Sequence, residues 1–111
     1  MKNLTPRDLR AWLDDPGRAK PFLLDVRETW EYEICHIDGS RLIPMRQVLA
    51  GGAALDGMLD PGAETVVICH HGIRSYQIAK VLERHGFGAV YNLNGGVEAW
   101  AREVDPAMRT Y

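Results

Sequence analysis

The stretch Thr65–Ser75, TVVICHHGIRS, constrains the fold of this chain more than any other. Thr65-Val66-Val67-Ile68-Cys69 is apolar and rich in β-branched residues, the composition of a buried strand. From Ile73 to His85 the pattern becomes helical, with Tyr76, Ile78, Ala79, Val81 and Leu82 on a broad apolar face and Gly86 as the stop. Only His70, His71 and Gly72 separate the two segments, so a buried strand must feed directly into a helix.

The same alternation runs through the chain. Thr5-Pro6-Arg7-Asp8 reads as a helix start, with Thr5 as cap, Pro6 at the first helical position and Asp8 as the capping-box acid. Leu9, Trp12 and Leu13 follow at helical spacing, and Asp15-Pro16-Gly17 ends the helix. Phe22–Val26 reads as a buried strand, Glu28–Glu33 as a short helix with Trp30 and Tyr32 as packing groups, and Leu42-Ile43 as a brief strand. One interrupted helix or two short ones are expected over residues 45–59, where Val48, Leu49, Leu55, Met58 and Leu59 surround Gly51-Gly52. Val90–Leu93 reads as a strand, and Val97, Trp100, Ala101 and Val104 as the apolar stripe of a last helix. Alternating strands and helices imply βαβ units, hence an α/β fold whose central, mostly parallel sheet of about five short strands carries helices on both faces. In such sheets ligands bind beyond the carboxyl ends of the strands. Asp25-Val26-Arg27 and Cys69 would share that rim.

Size and charge narrow the function. The 111 residues fit a single domain, 1–111. The 46% hydrophobic and 25% charged residues argue against disorder. A formal net charge of -2 excludes a strongly cationic nucleic-acid binder. There is no signal-like N-terminal run and no membrane-length apolar stretch, so a cytoplasmic domain without membrane or nucleic-acid partners is expected. Two cysteines, Cys35 and Cys69, are too few for a disulfide framework or a four-cysteine zinc site.

The Cys69–Ser75 loop places a thiol at a helix start. The first N–H groups of a helix lack intrahelical partners and carry partial positive charge. A short loop can turn such groups inward as an anion nest, and Gly72 permits the tight backbone. Arg74 adds a permanent cation and Ser75 a hydroxyl donor. All favour the thiolate, which is the nucleophilic form. The competing reading is a buried, inert strand-end cysteine; the loop context favours the reactive one.

Cys69-His70-His71-Gly72-Ile73-Arg74-Ser75 resembles the active-site loop of rhodanese-like sulfurtransferases. Leu24-Asp25-Val26-Arg27, Glu31-Tyr32-Glu33 and His36-Ile37-Asp38-Gly39-Ser40 resemble an earlier stretch of that family. Gly86-Phe87 and the segment Tyr91–Trp100 resemble its C-terminal signature. The resemblance implies a rhodanese-like three-layer fold and an enzyme of thiosulfate sulfurtransferase type. Cys69 would accept a sulfane sulfur from a small donor such as thiosulfate and pass it, as a persulfide, to cyanide or to a thiol or protein acceptor. It also implies that Cys69 and Arg74 are catalytic and that His70, His71, Gly72, Ile73 and Ser75 form the persulfide-binding loop, with no cofactor and no metal. On this resemblance 111 residues suffice for a complete single-domain enzyme. The alternatives are a non-enzymatic persulfide carrier or sensor and a phosphatase-like hydrolase. Phosphatases of the related fold have five residues between cysteine and arginine; here His70, His71, Gly72 and Ile73 make four. Cys35 and Asp38 stand where many members have glycine and proline.

Other residues invite competing readings. Cys35 reads as a packed side chain rather than a resolving thiol. His70 and His71 either line the pocket and tune its polarity or are solvated; as neighbours they are expected to point in different directions, which argues against zinc. Asp25 reads as a structural ion-pair partner. Arg27, placed at the rim, divides between attracting the donor and plain surface charge. His36 reads as structural, Trp12, Trp30 and Trp100 as core or half-buried packing, and Gly95-Gly96 as the turn into the last helix.

Overall fold

The computed structural model describes residues 1–51 and 57–111. Its elements are β1 (Lys2–Leu4), α1 (Pro6–Asp14), β2 (Phe22–Asp25), α2 (Thr29–Ile34), β3 (Arg41–Leu42), α3 (Met45–Ala50), β4 (Thr65–Ile68), α4 (Ile73–Arg84), β5 (Val90–Leu93) and α5 (Gly96–Glu103). The strands form one sheet in the order β1-β5-β4-β2-β3, and every pairing is parallel.

Strand periodicity builds the two cores. Side chains alternate across a strand. Leu23, Val66 and Ile68 therefore face one way, onto Leu9 and Trp12 of α1 and Val97 and Trp100 of α5. Leu24 and Val67 face the other way, onto Val48 of α3 and Ile78, Ala79 and Leu82 of α4. Cys69, one residue beyond β4, continues the alternation on the α4 side. Helices on both faces explain why β4 is buried at every residue.

The helix signals act as expected. The Thr5 side chain accepts from the Asp8 N–H at 3.1 Å, and the Asp8 carboxylate accepts from the Thr5 N–H, a reciprocal capping box ahead of Pro6. Gly86, at φ 89°, follows α4.

One expectation is corrected, one strand was not expected, and one expected residue lies outside the described ones. Trp30 is not core: it is 60% exposed, because α2 turns Glu31 rather than Trp30 inward. The edge strand β1 has no apolar alternation; it exists by pairing Lys2, Asn3 and Leu4 with Tyr91, Asn92 and Leu93. Of the helical stretch expected over 45–59, α3 forms at Met45–Ala50, while Leu55 lies outside the described residues. Among the described residues, no helix is long and apolar enough to cross a membrane.

Candidate active site

The carboxyl ends of β2, β4 and β5 share one rim, which the parallel pairings dictate. Cys69 sits at the middle strand's end, 1% exposed. Beyond it the chain turns through His70 and His71 to Gly72, which caps α4 at φ 93° and ψ 2°. A Cβ on Gly72 would meet the Gly95 nitrogen at 2.9 Å, so both conformation and space require glycine there. The turn brings the N–H of Gly72 to 3.1 Å and that of Ser75 to 3.3 Å from Cys69 Sγ. Two backbone donors thus converge on the sulfur at the start of a twelve-residue helix, the arrangement that stabilises an anion there.

Ser75 is fully buried, and its hydroxyl has two neighbours. It donates to Asn92 Oδ1 and accepts from the Cys69 thiol at 3.2 Å. Asn92 in turn donates to the Gly72 carbonyl at 3.2 Å and to Asn3 Oδ1 at 3.0 Å. With a thiol the Ser75 oxygen is an acceptor; with a thiolate it serves the sulfur only by turning its proton away from Asn92. Asn92, within a stretch already matched to the family, thereby joins the site by position rather than by an obvious motif.

The loop is held from behind by α5. Val97 N–H donates to the Cys69 carbonyl at 2.9 Å, and Glu98 N–H to the His70 carbonyl at 3.1 Å. The free donors of one helix start therefore fix the loop that opens another. Gly96, at φ 60°, allows this approach: a Cβ there would lie 2.3 Å from the His70 carbonyl oxygen.

Arg74 faces a partner that its own motif does not reveal. Its guanidinium grips Glu31 of α2 in a two-pronged pair, 2.8 Å to Oε1 and 2.9 Å to Oε2. Glu31 raises the Arg74 pKa first, against a lowering by burial, and the nearby Cys69 adds to the rise. Burial would push the Glu31 carboxyl up, but Arg74, the Glu28 N–H and the Tyr111 hydroxyl together hold it at about 2. Arg74 thus brings its charge to the site already shared with a carboxylate.

Arg27 is corrected: it does not line an open rim. It is fully buried, and its guanidinium closes on the Asp25 carboxylate at 2.8 to 3.1 Å and on the Cys35 carbonyl at 2.7 Å. Asp25, two residues upstream, supplies the counter-charge that burial demands, so the pairing expected of Asp25 is what encloses Arg27. Burial lowers the Arg27 pKa and Asp25 more than restores it, leaving it raised. Cys35 is buried beside this pair, in the core cluster of Trp12 and Val97.

The two histidines differ from expectation. Instead of pointing apart, their rings stack, with centroids 3.9 Å apart and planes 23° from parallel. His70 is half-buried and His71 exposed. Burial lowers the His70 pKa, and His71 beside it adds to this, against the opposing pull of Glu98 and Glu31. His70 Nε2 lies 3.4 Å from Glu98 Oε2. Donor atoms of His70, His71 and Glu98 fall within 4.8 Å of one another. Stacked rings, however, send their in-plane lone pairs side by side rather than toward one point, which is a poor fit to a tetrahedral ion.

Tyr111, past the last helix and carrying no pattern, is a site neighbour that sequence reasoning missed. Its hydroxyl donates to Glu31 Oε2 at 2.7 Å and accepts from Arg27 Nη1 at 2.9 Å, and its ring stacks on His70 at 3.9 Å. On the outer side of the loop, Gly72, Ile73 and Tyr76 border an open hollow of about 450 Å³.

A buried strand-end cysteine, held by backbone N–H groups where a helix leaves a parallel sheet, defines the class of α/β domains built around a cysteine anion loop. The profile of the rhodanese-like domain family matches residues 5–103, and the chain belongs to that family. The Pseudomonas aeruginosa protein named thiosulfate sulfurtransferase GlpE is 41% identical over 107 residues, 96% of this chain and 89% of its own length. The Arabidopsis thaliana rhodanese-like/PpiC domain-containing protein 12, chloroplastic, is 36% identical over 112 residues, covering 100% of this chain and 38% of its own length. The chain thus spans well under half of that larger relative. A rhodanese-like domain protein from Staphylococcus aureus superposes with a TM-score of 0.79 at 24% identity, covering 100% of this chain and 99% of its own, and shares the fold.

Proposed function

We propose that this chain is a sulfurtransferase of thiosulfate sulfurtransferase type, working through a persulfide on Cys69. The observation that carries the reading is the convergence of the Gly72 and Ser75 N–H groups on Cys69 Sγ. The similarity to a protein named thiosulfate sulfurtransferase supports the choice of chemistry.

In the first half-reaction the Cys69 thiolate attacks the outer, sulfane sulfur of thiosulfate. A new S–S bond forms, the bond to the sulfonate sulfur breaks, and sulfite leaves with the electron pair. In the second, a thiophile such as cyanide or a thiolate attacks the outer sulfur of the persulfide, and Cys69 leaves as thiolate. Both half-reactions begin or end with negative charge at sulfur, where the loop donors and the α4 start are already oriented. The first N–H groups of α4, those of Ile73 and Arg74, have no intrahelical acceptor and suit the terminal persulfide sulfur. Ser75 follows the charge by redirecting its hydroxyl proton from Asn92 to sulfur. Arg74 orients the anionic donor, with Glu31 fixing its fork. No cofactor takes part in this scheme.

A second reading, a persulfide carrier serving a protein acceptor, draws on Ile73, an apolar side chain at the start of α4 that is 69% exposed. Rate separates the two: thiocyanate release on a catalytic timescale fits an enzyme, and a persulfide that survives until a protein takes it fits a carrier.

Intact-mass measurement after thiosulfate treatment tests the chemistry. Wild type should gain one sulfur atom that cyanide removes as thiocyanate. Cys69→Ser should lose this wholly, while Cys35→Ser keeps most of it. Phosphate-ester hydrolysis without persulfide, or loss of transfer on Cys35→Ser alone, would overturn the assignment.

A further inference from the structure

Five polar side chains from four parts of the fold form one chain of contacts. Asp25 at the end of β2 holds Arg27. Arg27 donates to the Tyr111 oxygen, and the Tyr111 hydroxyl donates to Glu31. Glu31, from α2, holds Arg74 at the start of α4. Tyr111 links the side chains of two ion pairs that also meet where Arg27 Nη1 donates to the Glu31 carbonyl at 3.4 Å. Its ring does a second thing: it lies over His70 at 3.9 Å with the planes 15° apart, and meets Trp30 edge-on at 5.8 Å. One residue of the segment after α5 thus touches the loop histidine and the carboxylate that fixes the loop arginine.

We propose that Tyr111 is a positioning residue of the site, its hydroxyl fixing Glu31 and so Arg74, and its ring fixing His70, so that it sets how well the site receives an anion. The physical case is direct. Glu31 accepts from Arg74, from the Glu28 N–H and from Tyr111. Each hydrogen bond absorbs part of its negative charge. Without the tyrosine hydroxyl the carboxylate projects more negative charge and loses one of the contacts that fix its position against the Arg74 fork. Both changes disfavour an anion approaching Cys69. The proposal rests on the sulfur-transfer reading for the identity of that anion, but one test of it does not.

That test is alkylation of Cys69, read by peptide mass, with a charged and a neutral reagent. The ratio of iodoacetate to iodoacetamide rates reports the field at the sulfur whether or not the protein transfers sulfur. Tyr111→Phe keeps the stack and removes only the hydroxyl. The ratio should fall about threefold. In turnover the thiosulfate KM should rise, with the loss falling on KM more than on kcat. In a Glu31→Gln background the same change should add nothing, since hydroxyl and carboxylate act as one unit. An unchanged ratio in Tyr111→Phe, or an equal fall in the Glu31→Gln background, would overturn the hydroxyl role. Tyr111→Leu, checked for native circular dichroism, tests the ring. The groups facing His70 are His71, Glu98, Glu31 and Tyr111. Uncovering it should move its NMR titration further upward in Tyr111→Leu than in Tyr111→Phe, where the ring stays and only the pull of Glu31 changes; a His70 titration alike in the two variants would overturn the ring role. Absence of persulfide in wild type would sink the proposed function while leaving the alkylation ratios to decide this proposal.

Discussion

A cysteine at 1% exposure in a core cluster is, by burial alone, an inert packing group. Cys69 and Cys35 are both buried, so exposure does not tell them apart; their neighbours do. The sulfur of Cys69 accepts two backbone N–H groups, whereas Cys35 lies 3.8 Å from an Arg27 nitrogen already committed elsewhere. The Cys69 surroundings were legible because strand, glycine and helix start are consecutive in sequence. The partner of Arg74 was not, because Glu31 lies on another element and its inward turn follows from the docking of α2. Arg27 misled for the same reason: a charged residue at a strand end reads as rim until its partner is known to share its burial. The Arg74–Glu31 geometry yields a sharp expectation. Lysine keeps the charge but cannot make both bonds to one carboxylate. On the proposed transfer from thiosulfate, Arg74→Lys should therefore lose about tenfold in kcat/KM. Thiocyanate formation measures this, and a lysine variant equal to wild type would show that charge alone is sufficient.

At the scale of elements, the strand-to-helix order and the sheet's parallel sense followed from periodicity and turn residues. The edge strand β1 did not, since three residues without alternation carry no signal until β5 offers its edge. The role of Gly95-Gly96 was half visible. A turn into α5 was readable, but not that this turn presses α5 against the Cys69 loop. At Gly96 a side chain would meet two carbonyls, those of Cys69 and His70, at 2.4 and 2.3 Å. These are backbone atoms of the loop itself, and they cannot yield without moving the sulfur. Gly96→Ala should thus cost on the order of 3 kcal/mol in stability, from the clash and from φ 60° together. The urea midpoint should fall with the slope unchanged. Persulfide formation should fall further than the folded fraction does. A variant that takes up sulfur as fast as wild type would show that α5 does not hold the loop.

Across the whole molecule, the contacts from Asp25 to Arg74 tie β2, α2, α4 and the segment after α5 to the same rim, and the titration of Glu31 and Tyr111 makes stability depend on pH at both extremes. The ordinary Glu31 value is 4.5, and the folded protein holds it at about 2. A lowered carboxylate contributes stability that is full above the unfolded value and is lost as pH falls through the folded one. The Glu31 contribution should therefore disappear between about pH 4.5 and pH 2. Tyr111 runs the opposite way: burial first, and the Glu31 carboxylate after it, push its hydroxyl from 10.0 to about 12 against the pull of Arg27. A raised group contributes stability that is full below the unfolded value and is lost as pH rises through the folded one, here from about 10 to about 12. Paired denaturation curves separate these two limbs from the titration of every other group. The stability difference between wild type and Glu31→Gln should shrink on the acid side, and that between wild type and Tyr111→Phe on the alkaline side. Differences that stay constant across both ranges would mean that the rim network does not hold the fold together. Shrinkage on both sides would mean that the contacts which shape the site also join its elements, so that acid should loosen the anion loop before it unfolds β4.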